Sequence, residues 1–334
     1  MKGQQIMKIA DMHCDTISKI WESRKGECPQ KLYQNSLHMD ILKMKAAGYL
    51  VQNFALYIDL EKELDPFACV LELTDVFYNE MAENKNDISI VKTYSDILEN
   101  EKRGKLSALM TIEEGGCCQG ELKNLETLYN LGARMMTLTW NYQNELASPN
   151  MEHDDKDDKG FLVFDNTQGL TKKGFAFIER MEELGMIIDV SHLSDKGFWD
   201  IAKNTKRPFV ASHSNARSLC GHYRNLTDDM IRAIADRGGV MGLNFYGNFL
   251  NETNDSNSKV SLIAAHARHI INVGGSECIG LGSDFDGIDG TLEIQDCSQM
   301  QKLVEEFERQ HFTKEEIENI LYRNVMKVYQ EMLS

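Results

Sequence analysis

The sequence predicts an α/β fold, a single (β/α)8 TIM-type barrel with C-terminal helices that takes up residues 1–334 as one domain. Three observations carry this expectation. Eight short β-like runs alternate with helix-like segments along the chain. Glycines close several of the helical segments just before the next strand, as C′ stops do. Histidines or carboxylates stand at the carboxyl ends of several runs, the edge on which α/β barrels build their sites.

The predicted strands cover 8–12, 50–58, 106–112, 135–139, 186–190, 208–211, 239–244 and 279–283. Helical spacing fits 37–47, 66–84, 94–103, 122–131, 172–184, 194–205, 227–237 and 260–273. The unit around which the rest is organised lies between Gly185 and Arg224. There the strands 186–190 and 208–211 run into His192 and His213, with the helix 194–205 between them. A βαβ unit sets its strands parallel and side by side, so the two imidazoles meet at one edge. Gly48, Gly132, Gly185, Gly238 and Gly274 are the helix stops, and Thr227 with Asp228 and Asp229 caps a helix start. After the eighth strand, 299–309 and 314–332 read as two closing helices, the second with Ile317, Ile320, Leu321, Val325 and Val328 on one stripe. The polar stretches 150–160 and 251–258 read as exposed loops over the site face. A doubly wound open sheet fits less well, because the Gly-rich phosphate fingerprint after a first strand is missing.

Charge narrows the partners. With 36 Lys and Arg against 52 Asp and Glu the net charge is −16, which repels a phosphate backbone or an anionic bilayer. No apolar run approaches the roughly 18 residues that span a membrane. The N-terminus passes into a strand without an apolar signal core, so the expected location is cytoplasmic. The eight cysteines then read as reduced thiols, and without a CxxC pair they suggest neither a zinc ribbon nor a thioredoxin-type site.

The chemistry lies at the strand ends. His13 and Asp15 share one face of an extended chain at i, i+2 and can grip one ion. Glu113-Glu114 offers a carboxylate able to bridge two ions, His192 and His213 end strands five and six, and Asp284 and Asp286 follow strand eight. Imidazole with carboxylate suits Zn²⁺, with Mn²⁺, Fe²⁺ or Co²⁺ as alternatives. Taken singly, each motif has an ordinary structural explanation as a hydrogen-bonded or solvated turn. A barrel, however, converges all these ends on one point. His38, His153, His222, His266 and His311 are read as structural or surface residues.

These residues and their motifs, HxD, the EGG-like turn, IDVSH, SHSNA followed by RN, LNFY and GSDFDG in that order, resemble the membrane (renal) dipeptidase family of zinc peptidases. The resemblance extends from about Ile9 to Tyr329. It implies a barrel with two zinc ions per chain, His13 and Asp15 on one, His192 and His213 on the other, and a bridging glutamate. Glu113 is the bridge that leaves no gap in counting to Trp140, whereas Glu114 needs a one-residue slip. It further implies Asp284 as the catalytic acid–base, Arg224 as the group that binds the substrate's terminal carboxylate, and Tyr246 near the substrate. Trp140-Asn141 stands where mammalian members have a site histidine, which puts the substrate range of this chain in question.

The implied function is a metallo-dipeptidase that attacks the peptide bond of dipeptides with a free C-terminal carboxylate through a metal-bridging hydroxide, Asp284 moving the proton. The partners are small dipeptides, with neither nucleic acid nor membrane, and a homodimer is allowed. A related amidohydrolase acting on another carboxylate-bearing amide, such as an N-acyl amino acid, is the alternative. Barrel deaminases and lactonases often use HxH on strand one and a carbamylated lysine after strand four. Here strand one gives HxD and 134–140 contains no lysine. A catalytically silent barrel would have lost a ligand or the strand-eight acid, and none is lost.

Overall fold

The computed structural model describes residues 8–156, 162–252 and 256–334. The strands are β1 (Ile9–Asp11), β2 (Tyr49–Tyr57), β3 (Ile88–Ile90), β4 (Leu106–Glu113), β5 (Ala133–Thr137), β6 (Met151–Lys156), β7 (Leu162–Asp165), β8 (Ile187–Asp189), β9 (Met241–Leu243), β10 (Asn257–Ser258), β11 (Ile279–Leu281) and β12 (Thr291–Leu292). The helices are α1 (Thr16–Ser23), α2 (Ile41–Ala47), α3 (Pro66–Glu83), α4 (Tyr94–Lys102), α5 (Leu122–Leu131), α6 (Lys172–Leu184), α7 (Asp195–Asn204), α8 (Asp228–Asp236), α9 (Val260–Gly274), α10 (Gln301–Arg309), α11 (Lys314–Glu318) and α12 (Asn324–Met332).

A parallel sheet in the order β8-β5-β4-β2-β1-β11-β9 curls on itself. The predicted sixth strand closes it. Single parallel bridges, Asp189 to Val210 and Ala211 to Met241, seat residues 208–211 between β8 and β9. Pro208 has no N–H to give a ladder, so this stave holds by a few bonds, Val210 N–H to Ile188 O (3.0 Å) and Ala211 N–H to Val240 O (3.1 Å) among them. Close approach of the neighbouring staves requires two glycines. A Cβ on Gly242 or Gly282 would collide with the Ser212 carbonyl oxygen, so GSDFDG begins with glycine for a steric reason. The result is the expected (β/α)8-type barrel with C-terminal helices.

One apolar cluster fills the layer between staves and helices. A second gathers Ala10, Val51, Leu109, Met135, Ile187, Val210 and Val240 from the staves with Val325, Val328 and Tyr329 of α12. The predicted stripe of the last helix is therefore buried against the barrel, and Tyr329 Oη donates to Asn53 Oδ1 (2.7 Å). That helix is continuous only through a π-helical turn at Asn319–Arg323. Among the described residues no helix is long and apolar enough to cross a membrane.

Several elements differ from the sequence expectation. Helix α1 starts directly after the HxD motif, its N-cap being Asp15 without a side-chain capping bond, and so carries no start signal. The segment predicted as helix from residue 37 becomes helical only at Ile41, because the Asp40 side chain accepts from Lys43 N–H and fixes the start there. β3 adds a short strand beside β4. Gly274 lies inside α9, and Gly275 (φ 86°) makes the stop. The polar stretch predicted as a loop at 150–160 is instead partly an antiparallel hairpin, β6 with β7, and residues 157–160 of it lie outside the described residues. In 251–258, β10 pairs with β12, while 253–255 lie outside the described residues.

Candidate active site

At the carboxyl edge of the staves the side chains of His13, Asp15, Glu113, His192, His213 and Asp284 come together, all buried. β4 delivers Glu113 between the histidines. Its Oε1 lies 3.0 Å from His192 Nε2 and 3.7 Å from His213 Nε2, and its Oε2 lies 3.3 Å from His13 Nε2. His13 Nε2 is in turn 3.3 Å from Asp15 Oδ2 and 3.7 Å from Asp284 Oδ1. One carboxylate thus faces two groups of donors with separate oxygens, as a bridge must. Glu114 turns away. Its backbone is left-handed (φ 96°), and its carboxylate accepts from Trp140 N–H (2.8 Å), Gly116 N–H (2.7 Å) and Asn144 Nδ2 (2.5 Å). Glu114 anchors the loop after β5 and Glu113 faces the histidines.

The donor set fits divalent cations. His192 Nδ1 donates to Asn141 Oδ1 (2.9 Å). Ser212 Oγ donates to Asp189 Oδ2, and so accepts from His213 Nδ1 at 2.7 Å. With both Nδ1 atoms protonated, both Nε2 atoms carry lone pairs, and these stand 3.0 Å apart. Two lone pairs at that distance repel unless a cation lies near both. His13 Nε2 is buried without a hydrogen-bond partner. His13, Glu113 and His213, and again His13, Asp15 and Asp284, place their donor atoms close enough to share an ion. Burial, reinforced by Glu113, pushes the Asp15 carboxyl up to about 6. Burial, with Asp15 and Glu113 adding to it against His13, pushes Asp284 up to about 7. Burial, with Arg224 and His13 adding to it, holds His192 and His213 well below the usual imidazole range, so both are neutral ligand-type imidazoles.

A cavity of about 610 Å³ opens beside this cluster, lined by Asp15, Glu113, His192 and Asp284 together with Tyr57, Trp140, Asn141, Arg224 and Tyr246. All the residues expected from the sequence to touch substrate therefore line it, although Asn141 Oδ1 is engaged by His192. Arg224 is 6% exposed, and its Nε and Nη2 have no hydrogen-bond partner. Its guanidinium lies 5.4 Å from the Phe249 ring centroid. The helix-entry acids do not engage it: Asp228 accepts from Ser218 and His269, and Asp229 from Arg232.

Residues that sequence reasoning passed over support this geometry. Asn244 Nδ2 donates to Asp284 Oδ2 (2.8 Å), leaving Oδ1 toward His13. Arg217 forks onto Asp195 (2.7 Å on both arms) and donates to Asn225 O (2.7 Å) and Tyr223 O (3.3 Å), clamping the backbone on either side of Arg224. His222, read as structural or surface, lines the cavity. Asp286 is used structurally, accepting from Thr16 Oγ1 and from His38 N–H (2.6 Å each). The LNFY and SHSNA motifs carry Asn244 and lead into Arg217, but nothing in the sequence says that these side chains face the site.

A closed α/β barrel with buried imidazoles and carboxylates converging on one mouth has the architecture of a metal-dependent barrel hydrolase. Comparison with known proteins makes this specific. Residues 3–333 match membrane dipeptidase, peptidase family M19. An uncharacterized dipeptidase of Schizosaccharomyces pombe is 32% identical over 97% of this chain and 80% of its own. Two solved structures share the fold at 22% identity: dipeptidase AC, an M19 metallopeptidase, with a TM-score of 0.88 over 98% of this chain and 99% of that one, and a Rhodobacter sphaeroides metallopeptidase liganded with a phosphinate mimic of L-Ala-D-Ala, with 0.87 over 98% and 100%. The chain belongs to the membrane dipeptidase family, M19.

Proposed function

We propose that this protein is a metallo-dipeptidase that hydrolyses dipeptides bearing a free C-terminal carboxylate. The observation that carries the reading is the buried Arg224, whose Nε and Nη2 stand unpartnered in a residue that lines the same cavity as the His/carboxylate cluster. A buried guanidinium without hydrogen-bond partners is costly, and a planar carboxylate satisfies it through two parallel bonds.

His13 and Asp15 would hold one divalent ion, His192 and His213 a second, and Glu113 both, with zinc the metal we favour. When bound, such ions supply Lewis acidity toward the scissile carbonyl and bring the pKa of water down toward 7. Arg224 takes the substrate carboxylate and so fixes the distance of the peptide bond from the cluster, with Tyr246 lining the same side. Asp284 moves the proton. Asn244 occupies its Oδ2, so Oδ1 accepts the proton of the attacking water and returns it to the leaving amine. A carboxylate placed between the attacking water and the leaving amine can carry the proton in both directions. Trp140 and Asn141 form the substrate wall on the β5 side, Asn141 also steadying His192.

The test is hydrolysis by zinc-supplemented protein of L-Ala-D-Ala and L-Ala-L-Ala, their C-terminal amides and an N-acetyl amino acid. Turnover of a free dipeptide, abolished by a chelator and restored by metal, is expected. Turnover of the N-acetyl compound alone would move the reading to an acylase, and equal turnover of acid and amide would overturn it.

A further inference from the structure

The cavity has two unlike walls. Arg224, Tyr246 and Phe249 come from the loops that follow the sixth stave and β9, while Tyr57 ends β2 and Trp140 follows β5. In the closed ring these groups stand across the mouth from one another, and Glu113, on the β4 stave between Tyr57 and Trp140, reaches in to His13, His192 and His213. The Trp140 ring is half-buried, edge-on to Tyr57 (centroids 4.9 Å apart) and to Tyr142 (5.3 Å), and 6.1 Å from the His192 ring. Its backbone is held by Glu114, so the wall is a fixed surface. Of the charged residues near this wall, Lys19 and Glu22 line the exposed rim and pair with each other at 3.3 Å, and Asp59, close to Tyr57, is paired with Lys62 (2.6 Å).

We propose that Trp140 and Tyr57 form the subsite for the substrate's N-terminal side chain and select apolar, above all aromatic, residues there over glycine. The inference rests on the dipeptidase reading. With the carboxylate at Arg224 and the scissile carbonyl at the His/carboxylate cluster, the N-terminal residue is the part of the dipeptide left to reach the opposite wall. Two aromatic rings set edge to face offer such a side chain ring contacts and exclusion of water, and offer glycine nothing.

The experiment compares kcat/KM for Phe-Ala, Leu-Ala and Gly-Ala, and for Ala-Phe and Ala-Gly, on the wild type and on Trp140→Ala, Trp140→Phe and Tyr57→Ala. The wild type should prefer Phe-Ala over Gly-Ala by about tenfold or more, the usual discrimination of an apolar pocket. Trp140→Ala should erase most of that ratio, Trp140→Phe should keep most of it, and the Ala-Phe to Ala-Gly ratio should stay constant throughout. Tyr57→Ala, which keeps the Glu114 bond to Trp140 N–H that holds the loop after β5, should lower the same N-terminal ratio and gives the answer should Trp140→Ala fail to fold. An N-terminal ratio that is absent in the wild type or unchanged in the variants overturns the subsite and leaves the dipeptidase reading standing. A wild type that cleaves none of the dipeptides overturns that reading, and the subsite with it.

Discussion

Replacing Arg224 with methionine should weaken function and strengthen the fold. The side chain is buried, two of its nitrogens lack partners, and Phe249 is the aromatic ring beneath its charge. Each unsatisfied buried donor costs about 1–3 kcal/mol, and the ring contact returns about 0.5–2 kcal/mol. Methionine of similar length removes the unpaired charge without opening a large void. Two such donors less the ring contact leave roughly 0–5.5 kcal/mol, and the lost attraction of Asp284 and Glu113 takes back part of it, so the variant should gain about 1–3 kcal/mol and calorimetry should show Tm rising by several degrees. Catalysis moves the other way. A lost charge-assisted bond to the substrate carboxylate costs about 1.5–3 kcal/mol, roughly ten- to 150-fold in kcat/KM. That loss should fall on the free dipeptide and spare its C-terminal amide, so the preference between them collapses. A lower Tm with equal losses on both substrates would refute the reasoning, because it would make Arg224 a support of the loop.

Three further predictions test separate parts of the site. Asp284→Asn should lower kcat by about 10²–10⁴, the worth of a positioned acid–base, while elemental analysis still finds the metal; full activity would assign proton transfer elsewhere. Wild-type protein should carry about two ions per chain, since its donors exceed one tetrahedral set; Glu113→Ala should lose metal, whereas Glu114→Ala should keep it and unfold more easily. His266 sets an acid limit. Its Nδ1 accepts from Ala216 N–H and its Nε2 donates to Leu250 O, and burial, opposed by the Leu250 bond, brings it down to about 4. The unfolded chain then takes up the proton first as pH falls below the ordinary imidazole value. About 3 kcal/mol of stability, present above that value, should be lost on the way down to about 4. Tm against pH should fall more steeply for wild type than for His266→Gln, and parallel curves would rule the group out.

The staves and their ligand-type ends were legible because both are local patterns. A β-like run followed by histidine needs no distant partner to be noticed, and the barrel supplies the convergence. What stayed hidden depends on contacts far apart in sequence. Asn244 matters because it meets Asp284, and Arg217 because it meets Asp195 and the backbone around Arg224. The hairpin of β6 and β7 was missed because its charged sequence lacks the alternation that marks a half-buried strand.

The backbone conformation of the site was equally invisible. Glu114, His192, Asp284 and Asp286 all adopt left-handed φ, between 63° and 96°. Glycine would mark such positions in a sequence, but here the side chains themselves are needed and glycine cannot stand in for them. Each such residue costs of order 1–3 kcal/mol and persists only where its surroundings over-determine it. Here they do: Asp284 N–H donates to His13 O (3.3 Å), its carbonyl accepts from Gly287 (3.1 Å), and Asn244 holds its carboxylate. The left-handed turn lets the chain leave the stave while Asp284 stays aimed at His13. The strain is thus spent on aiming the acid, and a residue that is easily fitted to that backbone would lack the carboxylate for which the turn is made.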